Sequence, residues 1–527
     1  MNVLTVCMLT AGKGSRLGEV CETLNKALLP IDGKAIISHI IDKFPLPTKF
    51  VIGLGHLGHQ VRQYLIMAHP DQQFQFVEVD NFVGVGSGPG YSLLCCREYL
   101  QKPFYFVSCD TLWDNSLDFS LSENWLGVAQ IDPAYSDHYC NLNIIDNRIV
   151  ALRDKILVTD PAFQAFVGLC HIHSYKIFWR ALESTTLVAG EHQISNGIQA
   201  LIEKTNVIPY PIIWNDVGDA DKYKKMASRY ENFDFSKSNE ALYIINGRVI
   251  KFFVDSKVTE RRVAKAKLNP LVFPKINHHE GQFYSYDFQP GETLYKVNNQ
   301  VIFRRFLDFL VKDLWYPKEV DAEKMHVICN KFYHEKTLER LALYWQKYSI
   351  PDLETKVNNQ IIPPTKDLLA EIPWSKLENG IPSFIHGDLQ FDNILYDVDT
   401  DSFKLLDWRQ DFGGQVEYGD LYYDLAKLYG GIILNYDCIK LNLLTYFECD
   451  GNIFIDFAQR FQTDNYLQIL GGFIKGHGYD LARVKLLVSL IYLNMSPLHH
   501  YPFDKLLYSL GRLMLNDEVQ NLKFKDD

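Results

Sequence analysis

Over the first 131 residues, five short and continuously apolar runs alternate with helix-like stretches, and no other feature restricts the fold as strongly. The runs are VLTVCML (3–9), KFVIGL (49–54), FQFVEV (74–79), FYFVSC (104–109) and WLGVAQI (125–131). Between them lie KAIISHIIDKF, HQVRQYLIMA and GYSLLCCREYL. Runs this short and this apolar read as strands buried on both faces. Alternating β and α in this way requires a mainly parallel sheet with helices on both sides, an α/β class.

The pattern stops at NFDFSKSNE (232–240), which is polar and aperiodic. ALYIINGRVIKFF follows, and its Asn246-Gly247 pair between two apolar runs predicts a tight hairpin, because both turn positions need positive φ. The domain boundary is placed here, giving domains at 1–232 and 238–527. The second reads as α+β, with a small β-rich lobe at about 238–295 and a helical lobe at about 296–527.

Hydrophobic residues make up 47% of the 527, enough for two full cores. The net charge of −11 argues against nucleic acid as the main partner, but leaves small phosphorylated ligands open. The ten cysteines include no CxxC pair and fall mostly in apolar runs, as reduced thiols in a reducing compartment do. No basic segment precedes the first apolar run, so no secretory signal is expected. VKLLVSLIYL suits a buried helix, so no membrane insertion is expected either. The expected setting is cytoplasmic, with small-molecule substrates, no nucleic acid, and room for homo-oligomers.

LTAGKGSRLGEVCETLNKALLP follows the first strand directly. Gly12 and Gly14 let backbone approach a ligand, and N–H groups from Ala11 to Ser15 could cradle phosphates, with Lys13, Arg16 and Lys26 as cations. The stretch resembles the nucleotidyltransferase family, whose signature is roughly LxAGxGxRLG followed by PKxLxP; Asn25 stands where proline is usual, a change expected to matter little. The resemblance covers about residues 1–230 and implies a Rossmann-like nucleotidyltransferase fold. It places GVGSGPGYSLL (84–94), with Gly88 and Gly90, against the base, and makes Asp110 and Asp216 (in WNDVGDADKY) the Mg²⁺ carboxylates. Lys155 becomes the candidate for the acceptor phosphate. The implied reaction is attack of an acceptor phosphate oxygen on the α-phosphorus of an NTP, with Arg16 and Lys26 neutralising charge. GLGHLG (53–58) is a literal GxGxxG, with Glu78 about 20 residues on, but it follows the second strand and reads as a turn.

HGDLQFDNILYDVDTDSFKLLDWR (386–409) carries a second constellation. Phosphoryl transfer needs a carboxylate near the acceptor hydroxyl, an amide oxygen for Mg²⁺ and a second carboxylate for Mg²⁺; Asp388, Asn393 and Asp407 supply them in order. HGD and D-W in place of HRD and DFG resemble the aminoglycoside phosphotransferase and choline kinase group, over about residues 238–520. That resemblance implies a two-lobed, protein-kinase-like fold and a small-molecule acceptor. It assigns Lys251 to the ATP phosphates, with Glu260 as its partner and Glu280 as a rival. His386, Asp420 and Asp424 read as structural, and Trp408, Tyr422 and Tyr423 mostly as core. Neither His-His pair has partners for zinc.

Together the two halves imply a bifunctional enzyme using Mg²⁺ at both sites, with ATP and a second NTP as substrates. ATP-dependent phosphorylation of a sugar or amino alcohol would precede nucleotidyl transfer, giving an NDP-activated precursor for surface glycan or cell wall. Two alternatives stay open: a nucleotidyltransferase with a binding-only or regulatory kinase-like module, and an antibiotic-modifying phosphotransferase on an inactive N-terminal scaffold.

Overall fold

The computed structural model describes residues 3–183, 187, 190–230 and 239–526, with side chains to 521. Contacts divide the chain into two compact units. The first runs to Tyr230 and takes in the hairpin that ends at Val254; the second runs from Asp255 to the C-terminus.

In the first unit, strand Leu4–Leu9 lies between Thr48–Leu54 and Phe104–Ser108, and Gln73–Glu78 continues beyond Thr48–Leu54, all parallel. Phe163–Ile172 joins Phe104–Ser108 antiparallel, and carries Asn124–Ala129 and the hairpin Cys140–Ile145/Arg148–Asp154. Five strands follow the five apolar runs of the sequence. In four of them side chains such as Val6, Cys7, Val51, Phe106 and Leu126 are buried, because helices cover both faces, while the edge strand Gln73–Glu78 is half-buried. The antiparallel hairpin Cys140–Ile145/Arg148–Asp154 has mixed burial and less apolar sequence, as antiparallel strands with one wetter face do.

The GLGHLG glycines serve packing. A Cβ at Gly53 would meet Leu9 at 2.9 Å, one at Gly55 would meet Ala11 at 2.7 Å, and one at Gly58 would meet Leu54 at 2.9 Å.

The hairpin Glu240–Ile245/Arg248–Phe253 turns at Asn246 (φ 49°) and Gly247 (φ 70°), both left-handed as the Asn-Gly pair predicts. The sequence reading groups it with the kinase-like half, yet it packs within the first unit. Tyr243 donates to Leu28 O at 2.7 Å and stacks edge-on against Tyr64 at 4.8 Å, while Asn246 and Arg248 donate to Ala68 O and Met67 O.

In the second unit, helix Ser256–Leu268 is followed by the hairpin Ile276–Glu280/Phe283–Asp287, which carries His278 and His279 on its first strand. The helical remainder is built round Leu421–Ile433, Leu481–Met495 and the C-terminal helix from Phe503. It also holds a four-stranded sheet of short strands, Gln360–Ile362, Thr355–Val357, Asn452–Phe457 and Leu444–Cys449, that the sequence reading does not anticipate. Among the described residues, 481–498 is one window long and apolar enough to cross a membrane by length and composition alone, longer than the VKLLVSLIYL run marked in the sequence as a buried helix. Here Val484, Leu487, Val488, Leu490 and Leu493 are buried within the unit.

Tyr243→Ala removes a fully buried ring and leaves Leu28 O without its donor. It should cost about 3–5 kcal/mol, while Tyr243→Phe should cost about 1 kcal/mol. Amide exchange of strand Leu4–Leu9 in the two variants checks the ordering.

Candidate active sites

The first site begins where strand Leu4–Leu9 ends. Gly14 has φ 68°, and a Cβ there would meet Cys21 Sγ at 3.0 Å and Lys26 Cβ at 3.2 Å; at Gly12 nothing lies within 4 Å, so that part of the loop faces open space. The turn Ser15–Leu17 follows, and Lys26 opens a second turn, Lys26–Leu28. Asn25, where the resembled family carries proline, is fully buried and knits the loop together. Its Nδ2 donates to Thr10 O and His56 O, and its Oδ1 accepts from Ala27 N–H. Its role here is structural.

Asp110 stands just past strand Phe104–Ser108. Strand Thr111–Trp113 pairs antiparallel with Trp214–Asp216, in a register that opposes Thr111 to Asp216, and Val217 N–H donates to Asp110 O at 3.1 Å. The two carboxylates thus meet over Gly218. A Cβ there would lie 3.0 Å from Asp216 Oδ1, 3.5 Å from Asp110 Oδ2 and 3.7 Å from Arg16 Nη2. Lys26 Nζ pairs with Asp110 Oδ2 at 3.2 Å. Burial alone would raise the Asp110 carboxyl, but Lys26 and Arg16 hold it below its ordinary value. Asp216 Oδ2 accepts from Tyr139 Oη at 2.8 Å and pairs with Lys222 Nζ at 2.7 Å; its Oδ1 accepts Gly218 N–H at 2.9 Å.

Two carboxylates facing one small, side-chain-free space form a hard oxygen donor set. That suits Mg²⁺ completed by phosphate oxygens and water. Among the described residues no cluster of three or more His, Cys, Asp or Glu side chains is placed to bind a metal, so substrate oxygens would have to supply the rest.

The structure thus brings Arg16, Lys26, Asp110 and Asp216 together. Lys155 is exposed and its side chain pairs with Glu191 at 3.0 Å, while its backbone N–H donates to Tyr139 O at 3.1 Å. Gly88 and Gly90 are needed by the protein's own chain: a Cβ at Gly88 would lie 2.8 Å from His192 O, and one at Gly90 would lie 2.6 and 2.7 Å from His192 O and Gln193 O. Sequence reasoning missed Lys222 and Tyr139. Lys222 follows Asp216 by six residues within the quoted motif, whereas Tyr139 has no local signal.

In the second unit, the 386–393 loop hangs from helix Leu421–Ile433. Asp424, in the first turn of that helix, accepts His386 N–H and Gly387 N–H, each at 2.7 Å, and Trp315 Nε1–H at 3.1 Å. Asp420 serves other partners: Ile381 N–H, Tyr333 Oη and Arg483. His386 is wholly buried; its Nε2 lies 2.8 Å from Leu406 O, and its Nδ1 accepts Asp388 N–H at 3.1 Å, which fixes the neutral tautomer with the proton on Nε2. Lys265 donates to Arg409 O at 2.9 Å and His386 O at 3.3 Å, and burial pushes its amine down to about 7.

Asp388 pairs with Lys427 Nζ at 2.7 Å. Burial would raise the Asp388 carboxyl, and Lys427 pulls it below its ordinary value instead. Asn393 Nδ2 donates to Asp388 O at 2.9 Å, which leaves its Oδ1 for a cation, and Leu406 N–H donates to Asn393 O, drawing in the Asp407 segment. Asp407 has φ 56° and accepts from Arg262 Nη1 at 2.9 Å. Amide oxygen and carboxylate again form a hard donor set that fits Mg²⁺ held partly by substrate phosphates. Lys251 is buried on the hairpin strand Arg248–Phe253, in the first unit; Glu260 is an exposed position on helix Ser256–Leu268 in the second. Trp408 is buried, donating to Arg262 O, so it is core rather than pocket wall. Lys427 and Arg262 were not anticipated.

These are the fold and site geometry of a nucleotidyltransferase-type α/β unit followed by a kinase-like unit. Comparison with known families agrees: residues 6–125 match the MobA-like NTP transferase domain, and residues 261–439 match the phosphotransferase enzyme family. The chain carries one domain of each kind. Curated relatives include the "Bifunctional protein GlmU" of Methanococcus vannielii, 24% identical over 40% of this chain and 51% of that one, and of Methanocaldococcus jannaschii, 26% identical over 47% and 60%. The chain thus spans about half the length of the curated relatives it matches. A solved UDP-glucose pyrophosphorylase complexed with UDP-glucose aligns to 44% of this chain and 98% of its own, at 15% identity and a TM-score of 0.38.

Burial drives the His386 imidazole down from 6.5 to about 4, against the pull of Asp388. The unfolded chain takes up that proton below 6.5, and the folded chain only near 4. Stability is therefore fullest above pH 6.5 and declines as pH falls towards 4. Denaturation from pH 7 to 4 should show a shallower decline in His386→Asn than in the parent.

Proposed function

We propose that the chain is a bifunctional transferase that uses two nucleotides in succession. In the second unit, a hydroxyl oxygen of a small metabolite attacks the γ-phosphorus of ATP. The new O–P bond forms as the bond to ADP breaks, and Asp388 receives the hydroxyl proton. Asn393 and Asp407 would hold Mg²⁺, whose charge offsets that of the phosphates.

In the first unit, a phosphate oxygen of that product attacks the α-phosphorus of a second NTP, and pyrophosphate leaves. Arg16 and Lys26 balance the phosphate charge, and Asp110 and Asp216 would hold the second Mg²⁺. No covalent intermediate on the protein is needed; positioning and charge balance do the chemistry. Phosphorylation comes first because nucleotidyl transfer consumes a phosphomonoester. The product is an NDP-activated building block for surface glycan or cell wall, made by a cytoplasmic enzyme.

The observation that carries this reading is that each set closes on itself: Arg16, Lys26, Asp110 and Asp216 around Gly218, and Asp388, Asn393 and Asp407 around one loop. One contact favours the second reading, in which the kinase-like half only binds. Asp388 is already matched by Lys427 at 2.7 Å, which weakens it as a base.

Asp388→Asn should cut ADP formation with ATP and a sugar and amino-alcohol panel by roughly 10²–10⁴-fold. It should leave pyrophosphate release from NTP plus phosphorylated acceptor intact, and Asp110→Asn should do the reverse. Intact ADP formation in Asp388→Asn would sink the kinase half of the proposal.

A further inference from the structure

The carboxylate of Asp388 stands among cations that the phosphoryl-transfer set does not use. Lys427 pairs with it directly at 2.7 Å. Arg409 lies against the preceding residue: a Cβ at Gly387 would be 2.7 Å from Arg409 Cβ. The Arg409 guanidinium lies 5.0 Å from the Phe332 ring centre, and Lys336 Nζ lies 4.0 Å from the same ring. Arg340 follows Lys336 by one turn on helix Lys336–Tyr348. Among the described residues neither Lys336 nor Arg340 forms an ion pair; the acids that bear on them are Asp388, already matched by Lys427, and Glu339, beside Arg340. Burial and the neighbouring cations both press Lys336 towards losing its proton, and burial and Arg409 act on Arg340 in the same direction.

Crowding like charges in a half-buried place is unfavourable unless something of opposite sign occupies it. Phe332 is itself fixed, stacked on Phe412 at 4.0 Å and edge-on to Tyr423 at 4.9 Å, so the cations rest on a rigid wall.

We infer that the acceptor phosphorylated at Asp388 carries a negative charge, a carboxylate or an existing phosphate or sulfate, bound by Lys336 and Arg340 with Arg409. This rests on the kinase reading above and narrows it: a hydroxylated acid, such as a sugar acid, fits, and a cationic amino alcohol or aminoglycoside is repelled. Lys427 neutralises Asp388, which keeps the catalytic carboxylate from repelling such an acceptor. Lys336 and Arg340 are specificity-determining residues that touch no reacting atom.

The test uses the full chain with Mg²⁺–ATP and matched probes: glucuronate against glucose, glycerate against glycerol, and choline and ethanolamine. Thermal shift reads binding, and ADP release reads turnover. The acids should stabilise the protein at concentrations at least tenfold below those of their neutral partners. Lys336→Met/Arg340→Met should erase that difference, raise KM for the acid tenfold or more with kcat little changed, and leave the response to ATP unaltered. Lys336→Arg/Arg340→Lys should restore it and controls for misfolding.

Equal or stronger response to the neutral compounds or amines, no response to either acid, or retention of the acid response in the double Met variant would each overturn the inference. Loss of the ATP response in that variant would also overturn it, by assigning the cations to the nucleotide. Acid binding that depends on Lys336 and Arg340, without ADP release, would uphold the anion-binding pocket and sink the kinase reading instead.

Discussion

Each carboxylate at the two candidate sites is held against a cation, and the rest of either site follows from that. Asp110 faces Lys26, Asp216 faces Lys222, Asp388 faces Lys427 and Asp407 faces Arg262. A buried carboxyl left alone would take up a proton, because removing charge from water is costly. Pairing reverses this for Asp110 and Asp388, which sit below their ordinary range despite burial. Carboxylates kept ionised can coordinate a hard cation or accept a proton at neutral pH. On the proposed kinase reading, Asp388 would act mainly by orienting the acceptor hydroxyl and would receive its proton late, because a carboxyl with lowered affinity is a weak base.

The supports behind these pairs are neutral or fully bonded, and that is where the sequence was easier to read. The alternating apolar runs mark the parallel strands because burial on both faces leaves no polar positions. The HGDxxxxN spacing marks a loop whose members bond one another: His386 to Asp388 N–H, Asn393 to Asp388 O, and Asp424 to two N–H groups of the turn. Such local hydrogen bonding demands particular residue types at short spacing, so it leaves a motif.

Partners that come from remote elements leave none, unlike Lys26, which the first motif contains. Lys427 reaches Asp388 from a helix 39 residues on, Arg262 reaches Asp407 across 145 residues, and Tyr139 reaches Asp216 across 77. A lysine on a helix reads as solvent-facing until the fold shows what it faces. The same limit hid the short four-stranded sheet of the helical part, whose strands are of three to six residues and pair across almost 100 positions. The hairpin at 240–253 was legible as a hairpin from Asn246-Gly247, but its packing partner was not, since Tyr243 finds Leu28 only in three dimensions. Glycines mislead in the opposite sense. Gly53, Gly55 and Gly58 form a literal GxGxxG, yet each makes room for the protein's own side chains or backbone, and Gly88 and Gly90 also lie close to the protein's own backbone.

The overall charge of −11 gives the cation clusters their significance. Anionic ligands such as nucleotides gain no general attraction from an acidic chain, and beyond a Debye length of about 8 Å at physiological salt, surface charge is largely screened. Capture of phosphate or carboxylate must then come from cations within contact range, held in a medium less polar than water, where each is worth more. Arg16 with Lys26 in the first unit, and Lys336, Arg340, Arg409 and Lys427 in the second, meet that requirement. In the second unit they outnumber what neutralising Asp388 needs, and the surplus is what a negatively charged acceptor would match.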